Sequence, residues 1–167
     1  SAVSLLSSDK DRAENVMITD LLRNDLGRFC EPGSVKVTEL CGLYSFDNVH
    51  HLISTITGRL ATGISAGNVM IASSPGGSIT GAPKKRAVEI IAELEPHARG
   101  AYCGSLFAMT GDGWLQSSIA IRTLEAKGTS LYCWGGGGIT ASSHWEAEYQ
   151  ETLDKIGPIM KALEAPH

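Results

Sequence analysis

The residues best suited to chemistry are acidic, and they come from two separated stretches. Glu14 lies in "SDKDRAENVMITDLLRNDLG" four residues before Ile18 and seven before Leu21, so a helical reading puts its carboxylate on their face. Burying an unpaired carboxylate is costly, and that position therefore calls for a cation or a donor. Towards the other end, "EAEYQE" sets Glu148 and Glu151 three residues apart, on one side of a helix. A few carboxylates from two helices suit Mg²⁺, which takes one or two protein carboxylates and completes its shell with water and substrate oxygens. For the Glu-x-x-Glu pair alone, a solvated acidic face accounts for the pattern as well.

Two glycine-rich stretches offer anion cradles. In "PGGSITGAPKKRA", Gly76 and Gly81 have the spacing of a phosphate loop, but Ala82-Pro83-Lys84 stands where the Lys-Ser/Thr pair belongs, which removes the nucleotide reading. Ser78 and Thr80 supply hydroxyls, Gly81 lets backbone approach a ligand, and Pro83 opens a helix whose N-terminus carries partial positive charge. Such a loop holds a carboxylate as readily as a phosphate. The run Gly135 to Gly138, with Gly136, Gly137 and Gly138 nearest the last helix, is either a second backbone cradle or a turn. Arg122, alternating with Ile119 and Ile121 on a strand, either forks onto a carboxylate or serves a structural ion pair. His51, beside His50, is either a donor or acid in the site or a satisfied core histidine. Taken together, these groups fit a small substrate with more than one carboxylate, one of them bound through Mg²⁺.

Composition narrows the classes. The formal net charge is −4 and the densest basic run, Lys84-Lys85-Arg86, reads as a solvated helix turn, which argues against nucleic acid as a partner. No apolar run approaches the ~20 residues that cross a bilayer, so no membrane is expected. "SAVSLLSS" lacks the charged start and apolar stretch of a signal peptide. Four cysteines (Cys30, Cys41, Cys103, Cys133) without a Cys-x-x-Cys pair point to reduced thiols in a cytoplasmic protein rather than a zinc site or disulfide framework.

The elements that must position these residues can be read from periodicity. A helix is predicted from Ser8 to Gly27, with Ala13, Met17 and Leu21 inward and Val16, Ile18 and Leu22 beside them. "SVKVTEL" and "HHLISTITGRL" read as strands and "SAGNVMIASS" as a short helix. A helix from Pro83 to about Glu95 would bury Ala87, Ile90, Ile91 and Leu94. "AYCGSLFAMT", "GWLQSSIAIRTLEA" and "TSLYCW", joined by short glycine turns, predict a three-stranded meander. A final helix from about Ser143, with a Ser143–Glu146 capping box, would bury Tyr149, Leu153, Ile156, Met160 and Leu163. With no linker or repeat in view, residues 1–167 are expected to form one α+β unit.

Five stretches in order, "DRAENVMITDLLRNDLGRFCEPGSVKV", "VHHLISTITGRL", "PGGSITGAPKKRAVEIIAELEP", "SSIAIRTL" and "AEYQETLDKI", resemble component I of the chorismate-utilising enzymes, from about Asp9 to Leu163. Within that family "PGGSITGAPK" is similar to the branch that aminates chorismate at C4 towards para-aminobenzoate. The anthranilate-forming branch, with its Gly-Thr-x-Ser-Gly-Ala-Pro-Lys form, is the alternative. The resemblance implies the chorismate-binding fold, α+β with antiparallel sheets flanked by helices. It implies Glu14 and Glu151 as Mg²⁺ ligands, His51 and Glu148 as catalytic residues with Asp11 as a further acid, and Arg122 as the receiver of a substrate carboxylate. Ser78, Thr80, Gly81, Gly136, Gly137 and Gly138 would line the chorismate pocket. Ammonia would come from a glutamine amidotransferase partner and replace the C4 hydroxyl. The family's lysine segment of the Pro-Ile-Lys-Gly-Thr type is missing here. The chain is therefore expected to be the C-terminal portion of such an enzyme, inactive alone, with apolar surface left open, or else a non-catalytic ligand- or partner-binding fragment.

Overall fold

A computed structural model of the chain describes residues 8–46 and 49–164. Helix α1, Asp9–Gly27, starts where expected because Ser8 Oγ accepts the Asp11 N–H at 3.2 Å, pairing one of the donors a helix start leaves open. Its inward face is set by polar anchors rather than by the predicted apolar stripe. Asn15 Nδ2 donates to the Leu52 carbonyl at 2.9 Å, and Thr19 and Asp25 are the buried residues of the helix. Glu14, Ile18 and Leu21 are half-buried on that side, whereas Ala13, Val16, Met17 and Leu22 are exposed.

The strands β1, Lys36–Phe46, and β2, Val49–Thr57, pair antiparallel from Lys36 opposite Thr57 to Phe46 opposite Val49. β1 therefore runs well past "SVKVTEL". Register shifts after Val37 and Glu39 bulge the strand towards α1, and Cys41 takes a left-handed φ of 52° there. Its N–H donates to Ser54 Oγ at 2.9 Å, and Ser54 Oγ in turn donates to Asn15 Oδ1. One asparagine thus ties helix, bulge and second strand together. Helix α2, Ala66–Ser73, begins with a Ser65–Asn68 capping box, the single turn α3 spans Gly77–Thr80, and α4 spans Lys84–Leu94.

The expected meander is replaced by two hairpins. β3, Ser105–Met109, pairs with β4, Leu115–Ile119, and β5, Thr123–Lys127, pairs with β6, Ser130–Trp134. The stretch read as one long strand breaks at Ala120–Arg122. Ala120 still pairs with the segment before β3, giving its carbonyl to Cys103 N–H at 2.7 Å and its N–H to Gly104 O at 2.9 Å. Ile121 N–H then turns back to Ile119 O, and Arg122 takes φ 48°, a conformation that no strand continues. Helix α5, Trp145–Glu164, carries Pro158 inside it. The Ser143–Glu146 capping box does not form, because Ser143 Oγ donates to Glu148 Oε1 at 2.6 Å instead.

The chain divides into two compact units, Ser1–Ile91 with Gly111–Trp114, and Ala92–Thr110 with Leu115–His167. The class is α+β, with helices and small antiparallel sheets. Among the described residues only Cys30 and Cys41 are buried apolar side chains. Four of the residues predicted to be buried by α5, Tyr149, Leu153, Met160 and Leu163, are exposed, and so are Ile90 and Leu94 of α4. An amphipathic stripe is buried only when another layer covers it, and two-stranded hairpins are too narrow to do so. No helix among the described residues is long and apolar enough to cross a membrane.

Candidate functional site

In the first unit, three predicted site segments meet on α1. Glu14 precedes Asn15, whose bond to the Leu52 carbonyl places this turn of the helix against the part of β2 that carries His51. His51 itself is exposed, and its ring meets Phe46 edge-on with centroids 5.8 Å apart. Asp11 is half-buried one turn before Glu14. The Pro75–Gly81 segment packs further along the helix: a Cβ on Gly77 would come within 2.8 Å of Leu21 Cδ1, so only glycine lets the backbone approach this closely.

The hydroxyl loop is more organised than its sequence suggests. Thr80 Oγ1 donates to the Gly76 carbonyl at 2.9 Å, so its proton is held within the loop, while Ser78 is exposed. Gly81 closes the turn with φ 120°, its N–H on the Gly77 carbonyl at 2.8 Å. The basic run after it is not a solvated turn throughout. Lys84 Nζ lies 2.6 Å from Asp25 Oδ2 and donates to the Ser73 carbonyl at 3.2 Å, with the Asp25 carboxylate nearly buried.

The second unit gathers the later acids under the glycine run. Glu148 is buried and accepts from Ser143 Oγ, while the half-exposed Glu151 pairs with Lys155 Nζ at 2.6 Å. Lys155 also donates to the Gly136 carbonyl at 3.3 Å. The glycines act here through close approach and not as a turn. A Cβ on Gly135 would fall 2.4 Å from Ile156 Cγ2, and one on Gly136 would fall 2.6 Å from the Tyr102 hydroxyl. A Cβ on Gly137 would instead sit 3.4 Å from Glu148 Oε2 and 3.9 Å from Glu151 Oε1, over both carboxylates. Gly137, Ser143, Glu148 and Thr152 line a cavity of about 320 Å³.

Tyr102 closes one flank. Its ring stacks on Trp134 at 5.9 Å, the Arg99 guanidinium lies over the same ring 5.8 Å from its centroid, and burial pushes its hydroxyl up to about 12, with the Cys103 thiol adding to the shift. It is neutral at physiological pH and able to donate. Arg99 binds Glu95 through two nitrogens, at 2.8 and 2.6 Å, which holds the Glu95 carboxyl below the usual range. Arg122 is exposed at the break between β4 and β5, so the strand-face argument for it fails even though the side chain stays accessible.

Sequence reasoning missed Asp25, Lys84, Lys155, Tyr102 and Ser143. Lys155 had a usable signal, standing four residues after Glu151 on one helix face. The Lys84–Asp25 pair had none, being 59 residues apart.

Within the second unit a helical acid set lies beneath a close-packed glycine run, and within the first a hydroxyl loop is held on an acidic helix. Residues 1–161 match the chorismate binding enzyme family, and the chain belongs to it. It is 56% identical over 161 residues to aminodeoxychorismate synthase component 1 of Klebsiella aerogenes, covering 96% of this chain and 36% of that protein. It is 42% identical over 161 residues to anthranilate synthase component 1 of Bacillus subtilis, covering 96% of this chain and 31% of that one. The crystal structure of anthranilate synthase component I from Streptococcus pneumoniae superposes with a TM-score of 0.86 at 41% identity, over 93% of this chain and 36% of that chain. The chain thus spans about a third of the length of these relatives.

Proposed function

We propose that this chain is the acid- and glycine-cradle part of an aminodeoxychorismate synthase component 1, which aminates chorismate at C4 with ammonia from a glutamine amidotransferase partner. The observation that carries the reading is the identity gap, 56% to the aminodeoxychorismate relative against 42% to the anthranilate one over chains of equal span. The "PGGSITGAPK" form of the loop supports the same branch. The free thiols of Cys30, Cys41, Cys103 and Cys133 accord with a cytoplasmic setting.

Mg²⁺ fits the residues present. Among the described residues no three His, Cys, Asp or Glu side chains cluster as a self-sufficient metal site. Mg²⁺ is content with one or two carboxylates plus water and substrate oxygens. Glu151 and Glu148 under Gly137 have the open space above them that only a glycine leaves, and Glu151, half exposed, can exchange Lys155 for another cation. The family resemblance assigns Glu14 to Mg²⁺ as well. When bound, Mg²⁺ acts as a Lewis acid on a substrate carboxylate.

The chain's own residues supply orientation. Arg122 receives a carboxylate through paired N–H donors. The Pro75–Gly81 loop offers the Ser78 hydroxyl and the start of α4, and the Gly136–Gly138 backbone allows a flat ring to lie close. His51 and Glu148 handle protons at the hydroxyl that leaves. The full-length enzyme containing this chain, supplied with chorismate, Mg²⁺ and ammonium, should form aminodeoxychorismate. Anthranilate as the product would move it to the other branch, and no product from either would end the enzymatic reading. Glu151→Gln should abolish turnover and the Mg²⁺ dependence of chorismate binding together.

A further inference from the structure

Lys84 reaches back across the whole Ser74–Pro83 connection. Its Nζ donates to the carbonyl of Ser73, the last residue of α2, at 3.2 Å, although Lys84 itself is the first residue of α4. One side chain thereby ties the two ends of the loop together. The same nitrogen lies 2.6 Å from Asp25 Oδ2 near the C-terminal end of α1, and the two side chains are only 24% and 9% exposed. A pair this sheltered is screened little by solvent.

The position of Asp25 on α1 gives the tie its meaning. Glu14, Leu21 and Asp25 are separated by seven and four residues, which at 100° per residue keeps them within about 40° of one another on a single face. Leu21 is the residue on which Gly77 rests. Along this one face come Glu14, then about 10 Å further the floor of the loop, and about 6 Å beyond that its anchor.

We propose that Lys84 is a positioning residue: through Asp25 and the Ser73 carbonyl it fixes the register of the Pro75–Gly81 loop relative to Glu14, and so sets the distance between the hydroxyl and metal ends of the chorismate site. This rests on the function proposed above. Lys84 touches no reacting atom in this role. Its removal should leave the hairpin of β1 and β2 and its Asn15 anchor unchanged, and should let the loop drift.

The test uses the full-length enzyme with Lys84→Met, Asp25→Leu and the double variant. An apolar pair commonly replaces a buried ion pair without loss of folding, so the double variant separates stability from positioning. Amide exchange of residues 76–81 should rise roughly tenfold or more in Lys84→Met and in the double variant, while exchange in α1 and β2 stays at the wild-type rate. The kcat/KM for chorismate should fall by about 100-fold in both, the scale expected for a misplacement of order 1 Å, even where the double variant melts like wild type. Unchanged exchange in the loop overturns the tie. Faster exchange with wild-type kcat/KM overturns the positioning role, as does a double variant restored to wild-type kinetics. A wild-type enzyme that consumes no chorismate at all would instead refute the functional reading beneath it, while the exchange data still decide whether Lys84 holds the loop.

Discussion

Gly135 and Gly137 are two residues apart in one extended run, yet a methyl group at each should do opposite things. At Gly135 a Cβ would sit 2.4 Å from Ile156 Cγ2, a branched side chain fixed on α5, so strand and helix must separate. Overpacking of that kind costs about 1–3 kcal/mol. At Gly137 the nearest atoms would be Glu148 Oε2 at 3.4 Å, Lys155 Nζ at 3.8 Å and Glu151 Oε1 at 3.9 Å, ordinary contact distances, and the backbone needs no left-handed φ. Gly137→Ala should therefore change stability by less than about 0.5 kcal/mol, as a surface substitution does. The added methyl nevertheless occupies the space over both carboxylates, where a bound oxygen or ion would lie. Loss of one good ligand contact there, about 1.4 kcal/mol, raises KM about tenfold. Denaturant titration and steady-state kinetics on the full-length enzyme separate the two effects. If Gly137→Ala leaves both chorismate KM and the Mg²⁺ requirement at wild-type values, the space above Glu148 and Glu151 is not a ligand site and the cradle argument fails.

Arg122→Ala should weaken chorismate use by a charge-assisted contact worth about 1.5–3 kcal/mol, at least tenfold in kcat/KM. Arg122→Gly should lose the same contact but be more stable than the alanine variant by about 1 kcal/mol, since φ 48° strains every residue except glycine; equal stabilities in a urea titration would contradict the backbone assignment. Ser143→Ala removes the hydroxyl that donates to the buried Glu148, and an unfolding free energy lowered by about 1.5–3 kcal/mol is expected. Glu95 is held below the ordinary carboxylate range by Arg99, so its folded pKa lies under the unfolded one and its contribution is present above the unfolded value and lost as pH falls through the folded value. Because the pair is partly exposed, Glu95→Gln should cost only about 0.5 kcal/mol at pH 7, and the difference from wild type should shrink as pH falls through the lowered folded value of Glu95; a difference that persists once the carboxyl is protonated would place the effect in packing.

How much of this was legible beforehand depends on the range of the interactions involved. The Ser8 cap, the Ser65 helix, the glycine turns and the shared face of Glu148 and Glu151 are settled within a few residues, and local periodicity and capping chemistry reveal them. The family, and with it the α+β class, is carried by ordered motifs that survive in sequence. What periodicity could not supply was which face of α1 turns inward. Its apolar residues suggested Ala13, Met17 and Leu21, of which only Leu21 is half-buried, because Asn15 reaches a carbonyl on β2, a contact 37 residues away, and a buried polar group must find its partner before apolar area is apportioned. The break at Arg122 was hidden for a similar reason, since alternation continues through "SSIAIRTL" and only the pairing of Ala120 with the segment before β3 ends the strand. Lys84 looked solvated because its partners, Asp25 and the Ser73 carbonyl, lie on other elements. By itself the sequence determined which residue types are available and which local elements carry them. Only the tertiary structure decided which charges are paired and which glycines admit a neighbour, because those depend on separations through space that no local pattern encodes.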